Sequence, residues 1–317
     1  MILISKPFQA PFDEIQAELQ QVWDNEWLTN NGEKLRALEN ELTDYLDLEH
    51  LSILGNGTLA LQVAMRALDI QGEVITTPFS YIATTSAVVW EGATPVHVDI
   101  DPKTFNLDPN KIEEAITPNT RAILATHVFG NPCDVDAIQA IADRHQLKVL
   151  YDAAHCFGTR FRGKSIMNRG DLSVLSFHAT KLYHMIEGGG ISINSDAGLS
   201  PSVEHNDGLM KPLRYRIERL RNFGHKDAVR FDGVGINAKN SEFHAAVGRV
   251  NLRYADAILA DRKRAHDTYD HFLANTSIQR PHISPEVEWN HSYYPAVFAD
   301  EKQCLQVKTA LEAEGIS

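Results

Sequence analysis

Residues 176 to 190 read SFHATKLYHMIEGGG, which places Lys181 among small and polar residues, between His178 and His184, with three glycines after it. Glycine lets another body approach the backbone closely. An amine in this setting is either a reactive group or a surface lysine beside a loop, and it becomes a nucleophile only if burial or a neighbouring cation lowers its pKa. Three other stretches carry comparable chemistry. GNGT, at 55–58, opens a helical pattern, so its backbone N–H groups and the Thr58 hydroxyl together make a phosphate cradle at the positive end of a helix. The plainer alternative is a turn capped by Thr58. It is neither a GxGxxG fingerprint nor a Walker loop, so no dinucleotide or ATP site is indicated. YDAAH, at 151–155, ends an apolar run on Asp152, and a buried acid there is costly unless it meets a cation or several donors. Ala153 and Ala154 leave room above it for something flat, although a turn or capping aspartate would read the same way. Tyr81, in PFSYIAT, has the shape to lie against a planar ring or to half-fill a core.

These residues need elements to position them. Helical spacing is read over 10–24 and 33–47, with the turn composition WLTNNG between them. Short β-branched runs then alternate with helical patterns: strands at 51–54, 73–77, 95–100, 122–129, 148–154 and 172–178, and helices through LALQVAMRAL, IATTSAVVWEG, KIEEAI and VDAIQAIADRH. This alternation predicts an α/β fold with a mostly parallel central sheet sandwiched by helices. Ligands bind such sheets at the carboxyl ends of the strands, where Gly55–Thr58, Pro78–Tyr81, Asp99, Asp101, His127, Gly130, Asp152–His155 and Ser176–Lys181 all fall. Beyond residue 190 the alternation fades into an insertion at 194–213, a helix through RYRIERL, a long helix from Ser241 to about Asp270, and a strand–helix lobe that includes CLQVKTALEAEG. A large domain over 1–240 with an N-terminal arm, and a small one over 241–317, follow from this pattern and from a length of 317 residues.

Composition narrows the function classes. A net charge of −12, with the acids dispersed, argues against nucleic acid or an anionic membrane surface as a partner. Three scattered cysteines, no apolar run of membrane-spanning length and no signal-like start predict a soluble cytoplasmic protein with no metal site. Taken together, a phosphate grip, a stacking aromatic, a carboxylate for a ring nitrogen and an amine for an aldehyde describe the needs of pyridoxal 5'-phosphate.

The ordered motifs WLTNNG, GNGTLAL, TPFSYIAT, VHVDIDPKTFNLDP, YDAAHCFG, SFHATK with EGGG, RNFG and GINAKNSEFHAAVG resemble the DegT/DnrJ/EryC1/StrS sugar aminotransferases nearly end to end. The resemblance implies fold type I of the pyridoxal-phosphate enzymes and, within the family, the enzymes that aminate TDP-4-keto-6-deoxy-D-glucose at C4. By resemblance Lys181 is the catalytic tether, Asp152 faces the ring nitrogen, His155 lies near the ring's phenolic oxygen and Tyr81 stacks on the ring. Gly57, Thr58 and Ser176 hold the phosphate, and Asn237 reaches it from the neighbouring subunit of a homodimer with shared sites. Trp27, Thr29 and Lys239 are the expected substrate contacts, Lys239 standing where the family often has arginine. The implied reaction moves an amino group from L-glutamate to a nucleotide-linked keto-deoxysugar, for surface polysaccharide such as O-antigen. The alternatives are a 3-keto-sugar aminotransferase or a dehydratase of the same fold, and the dehydratases place histidine where this chain has Lys181. Relatives continue beyond GIS, so the small domain is expected to be incomplete.

Overall fold

The computed structural model describes Ile2, residues 6–194 and residues 212–316; nearly all of the insertion expected at 194–213 therefore lies outside the described residues. The strands of the main sheet are β1 (His50–Leu54), β2 (Glu73–Thr76), β3 (Thr94–His97), β4 (Thr120–Thr126), β5 (Lys148–Asp152), β8 (Leu172–Ser176) and β9 (Gly189–Ile193). They lie in the order β1-β9-β8-β5-β4-β2-β3. Neighbours pair in parallel except at β9, which runs antiparallel to both β1 and β8.

Consecutive strand residues enter opposite layers, as the pleat requires. Ile75, Ile123 and Val149 join one core cluster, while Val74, Leu124 and Leu150 join the other. Helices α2 (Glu33–Tyr45) and α5 (Val135–His145) cover the first face through Leu35, Leu38, Leu42, Ile138 and Ile141. Helices α3 (Gly57–Ala67), α4 (Ile82–Trp90) and α6 (Leu213–Leu220) cover the second. Burial on both faces is why the strands read as continuous apolar runs rather than alternating ones.

Several expectations are corrected. KIEEAI forms two 3₁₀ turns, Pro109–Lys111 and Glu113–Ala115, rather than an α-helix. Ile116 is already extended, and Pro118 disfavours helix in the residue before it. The helix from Ser241 is two, α7 (Glu242–Leu252) and α8 (Ala255–Leu273). Between them the N–H groups of Arg253 and Tyr254 bond three residues back instead of four, which ends the ladder without glycine or proline. Strand β9 was not foreseen, because its leading glycines read as loop. CLQVKTALEA belongs to helix α9 (Glu301–Ala313), and the strand nearest it in sequence, β10 (Val287–Glu288), pairs with the short hairpin of β6 (Arg160–Phe161) and β7 (Lys164–Ser165).

Helix α1 (Phe12–Asp24) and α2 pack against α7. The Glu242 carboxylate accepts from the N–H groups of Lys34 (2.7 Å) and Leu35 (3.2 Å), so it caps α2. A Cβ at Gly32 would stand 2.4 Å from that carboxylate, which explains the glycine that ends WLTNNG.

Candidate active site

The carboxyl ends of the strands converge. Leu54 of β1 and Ser176 of β8 are both registered to Gly189 of β9, and Thr126 of β4 lies beside Asp152 of β5. Beyond Leu54 the chain turns directly into α3, where the side chain of Asn56, rather than Thr58, caps the helix by accepting from Leu59 N–H at 2.9 Å. Gly57 and the exposed Thr58 open that helix. A Cβ at Gly57 would meet Ser176 Cβ at 3.1 Å and Oγ at 3.4 Å, so the expected phosphate residues do come together. The glycine triplet serves this turn. A Cβ at Gly189 would lie 2.4 Å from the Asn56 carbonyl and 2.7 Å from Gly57 N. The body that approaches those glycines is the chain's own cradle.

Past Ser176 the chain makes a tight excursion. Phe177 N–H donates to Gly188 O (2.8 Å), Ala179 N–H to Ile186 O (2.8 Å) and Lys181 N–H to His178 O (2.9 Å). His184 Nε2 donates to Phe8 O (2.8 Å) and so ties the N-terminal arm to this loop. The Lys181 amine makes no hydrogen bond or ion pair among the described residues. Burial pulls its pKa below the ordinary lysine value, against the attraction of Asp152. That is the condition for a nucleophilic amine.

Asp152 is 7% exposed. Its Oδ2 accepts from the Thr84 hydroxyl (2.7 Å) and its Oδ1 from Ala154 N–H (3.1 Å). His155 is pushed down to about 3, by burial first and by the Lys181 charge second, and is neutral at pH 7. Its ring lies 4.8 Å from Tyr293 and 6.5 Å from Phe129. Tyr81 is the N-cap residue of α4, with its ring 79% exposed and no recorded contact with the other members of the set.

Asn237 and Lys239 sit together on the segment after the glycine-rich turn. The Lys239 amine bonds to Asn237 Oδ1 and lies 4.6 Å above the Phe223 ring. The segment runs beside the cradle, because Gly55 N–H donates to Ala238 O at 2.7 Å. Thr29 bridges Ser241, and Asn30 lines one groove with Asn222, Phe223 and Lys239. The structure thus gathers WLTNNG and Lys239 at one rim, with the Trp27 side chain exposed there.

Sequence reasoning missed two groups. The first is Thr84 and Thr126, whose hydroxyls are linked behind Asp152 through Ser80 of the expected Pro78–Tyr81 stretch. The second is the segment 289–294, which docks on the site from the far end of the chain. Trp289 Nε1 donates to Phe129 O (3.0 Å), and Asn290 Nδ2 donates to His155 O (2.6 Å) and Phe157 O (2.8 Å). The cluster NHSYY was the only available signal, and nothing in its spacing says what it touches.

Comparison with known proteins bears on this geometry. The model of the DegT/DnrJ/EryC1/StrS aminotransferase family matches residues 11–317. A dTDP-4-amino-4,6-dideoxy-D-glucose transaminase of Shigella dysenteriae is 43% identical over 295 residues, covering 93% of this chain and 76% of that protein. The structure of DesI in the presence of its TDP-sugar product superimposes with a TM-score of 0.89 at 32% identity, over 99% of this chain and 78% of that one. The pyridoxal-phosphate form of the sugar aminotransferase Spr1654 from Streptococcus pneumoniae gives 0.88 at 25% identity, over 99% and 83%. The residues present here fit that group: a turn so close that a Cβ at Gly57 would fill it, a buried carboxylate held by one hydroxyl and one backbone N–H, and a part-buried amine with a lowered pKa.

Proposed function

This chain belongs to the DegT/DnrJ/EryC1/StrS aminotransferase family, whose enzymes use pyridoxal phosphate, and from that premise we propose that it moves an amino group from L-glutamate to C4 of TDP-4-keto-6-deoxy-D-glucose. The part-buried Lys181 amine, without a hydrogen-bond partner among the described residues and in the field of Asp152, carries this reading. A dehydratase is disfavoured by the lysine itself.

The residues divide the work as follows. The Lys181 amine would tether the cofactor at its aldehyde carbon. The N–H groups at Gly57 and Thr58, with the hydroxyls of Thr58 and Ser176, would hold its phosphate, and Asp152 would pair with the ring nitrogen. The bound cofactor supplies an electron sink for the carbon that loses its proton. The Lys181 amine would take a proton from the α-carbon of the donor and later deliver one to the sugar carbon that gains nitrogen. His155, neutral at pH 7, would offer the ring's oxygen a hydrogen bond without adding charge. Segment 289–294 shields this side from water.

The site is proposed to be shared across a homodimer, with Asn237 reaching the partner's phosphate. The exposed apolar side chains Tyr81, Trp90, Phe231 and Val234 support this, since a lone chain rarely leaves such groups uncovered. The three free cysteines support a reducing cytoplasm. The test is incubation of purified protein with glutamate and a panel of nucleotide 3-keto and 4-keto sugars, read by mass. A 4-amino-4,6-dideoxy product on TDP is expected, and no aminated product from any member of the panel overturns the reading. Mixing Lys181→Ala with Asn237→Ala chains should recover activity if the sites are shared, and no recovery counts against it.

A further inference from the structure

Behind Asp152 stands a run of three hydroxyls. The Thr84 hydroxyl lies 2.7 Å from Asp152 Oδ2, Ser80 Oγ lies 2.7 Å from Thr84 Oγ1, and Ser80 Oγ lies 3.0 Å from Thr126 Oγ1. Thr84 is completely buried and Thr126 nearly so. Each hydroxyl has one proton to give. A carboxylate cannot donate, so Thr84 must spend its proton on Asp152. Ser80 must then donate to Thr84, and Thr126 to Ser80. The direction of the whole run is fixed by the charge at its end, and hydrogen bonds that point the same way polarise one another. The arrangement also closes on itself, since Thr126 and Asp152 are registered neighbours on β4 and β5. Three elements that share no local sequence, the β2–α4 turn, β4 and β5, are locked together at this one carboxylate.

We propose that Thr84, oriented by Ser80 and Thr126, is a positioning residue for Asp152, holding its carboxylate in the rotamer that would receive the ring nitrogen of the cofactor. The inference rests on the reading of Asp152 as that partner. The Thr84 hydroxyl satisfies Oδ2 of the carboxylate at 2.7 Å. The same bond fixes the side-chain torsion of Asp152, which no neighbouring cation fixes instead: among the described residues its other recorded donor is Ala154 N–H on the opposite oxygen. Lys181 acts on Asp152 through charge alone, without a hydrogen bond to it among the described residues.

The test uses the full chain. Thr84→Val removes the donor while keeping the shape, Thr84→Ser restores it, and Ser80→Ala interrupts the run one step back. Two readouts are taken: the dissociation constant of pyridoxal phosphate from the apoprotein, and the pH midpoint of the bound cofactor's absorbance. Thr84→Val should weaken retention about tenfold, as loss of one bond to a charged group implies, and should shift the midpoint. Thr84→Ser should return both to the parent values. Ser80→Ala should move both in the same direction by less, and its melting temperature as apoprotein reports whether folding alone has suffered. If Thr84→Val and Ser80→Ala leave both quantities unmoved while Asp152→Asn shifts them, the positioning role is wrong and the role of Asp152 stands. If Asp152→Asn leaves them unmoved too, the reading of Asp152 fails with it.

Discussion

Asn290 offers a quantitative test of how the far end of the chain is fastened to the site. It is 2% exposed and makes three bonds. Its Nδ2 donates to His155 O at 2.6 Å and Phe157 O at 2.8 Å, and its Oδ1 accepts from Ser292 N–H at 3.1 Å. At about 1 kcal/mol net per bond, Asn290→Ala should cost about 3 kcal/mol, or roughly 4–5 °C of melting temperature in a chain of this size. Asn290→Asp is the sharper variant. It has nearly the same shape but only acceptors, and it would press a carboxylate against two carbonyl oxygens that now receive N–H groups. The aspartate variant should therefore melt below the alanine variant despite its closer likeness to asparagine. Thermal melts of the three proteins at pH 7 decide the matter. An aspartate variant that melts at or above the alanine variant would show that these bonds are not what fastens the segment, and the placement of Tyr293 against His155 would need another cause.

Three other perturbations have defined outcomes. Lys181→Arg keeps the charge but cannot form the covalent tether, so borohydride should leave no label on residue 181 and turnover should vanish; retained turnover removes Lys181 from its role. Ile186, in the lysine loop, has φ +71° and is 48% exposed, a left-handed conformation that strains a β-branched residue. Ile186→Gly should therefore raise stability by about 1 kcal/mol in urea unfolding, and a loss of stability would show that its side chain matters more than its backbone. His127 is fully buried, and burial pushes its pKa down to about 3 from an ordinary value near 6.5. Between those values the unfolded chain binds the proton and the folded chain does not, so stability falls as pH drops below about 6.5, by roughly 1.4 kcal/mol per pH unit for this group. His127→Gln keeps an acceptor for Cys133 N–H but does not titrate, and it should lose less melting temperature between pH 7 and 5.5 than the parent. Equal losses would refute that attribution.

The parts of the site that could be read beforehand are those whose chemistry is announced locally. Asp152 and GNGT each follow an apolar run directly, Lys181 comes five residues after one, and the sheet's architecture sends all such positions to one edge. Thr84 could not be read this way. In IATTSAVVW it looks like any helical threonine, and its value appears only when β5 brings Asp152 within 2.7 Å of it. Asn290 and Tyr293 reach the site from a segment with no periodicity, and their partners lie far back in the sequence. Strand β9 was hidden for a related reason: Gly189 and Gly190 have little strand propensity of their own and are held in the sheet by β1 and β8. The break between α7 and α8 carries neither proline nor glycine. It coincides with Tyr254, whose ring packs on Phe8 and whose hydroxyl bonds to Glu14.

The lone reversed strand also governs when this protein becomes competent. The turn at Gly57 follows β1 and the wall at Ser176 ends β8; these two strands are not paired with each other, and residues 189–193 pair with both, while β8 is also held by β5. A nascent chain that has not yet released Ile193 from the ribosome therefore lacks the strand that sets the two halves of its anion grip in register. Such distant pairing is slow because the loop must close before any contact rewards it. In refolding, the ability to retain the vitamin should return after most helical signal has already recovered.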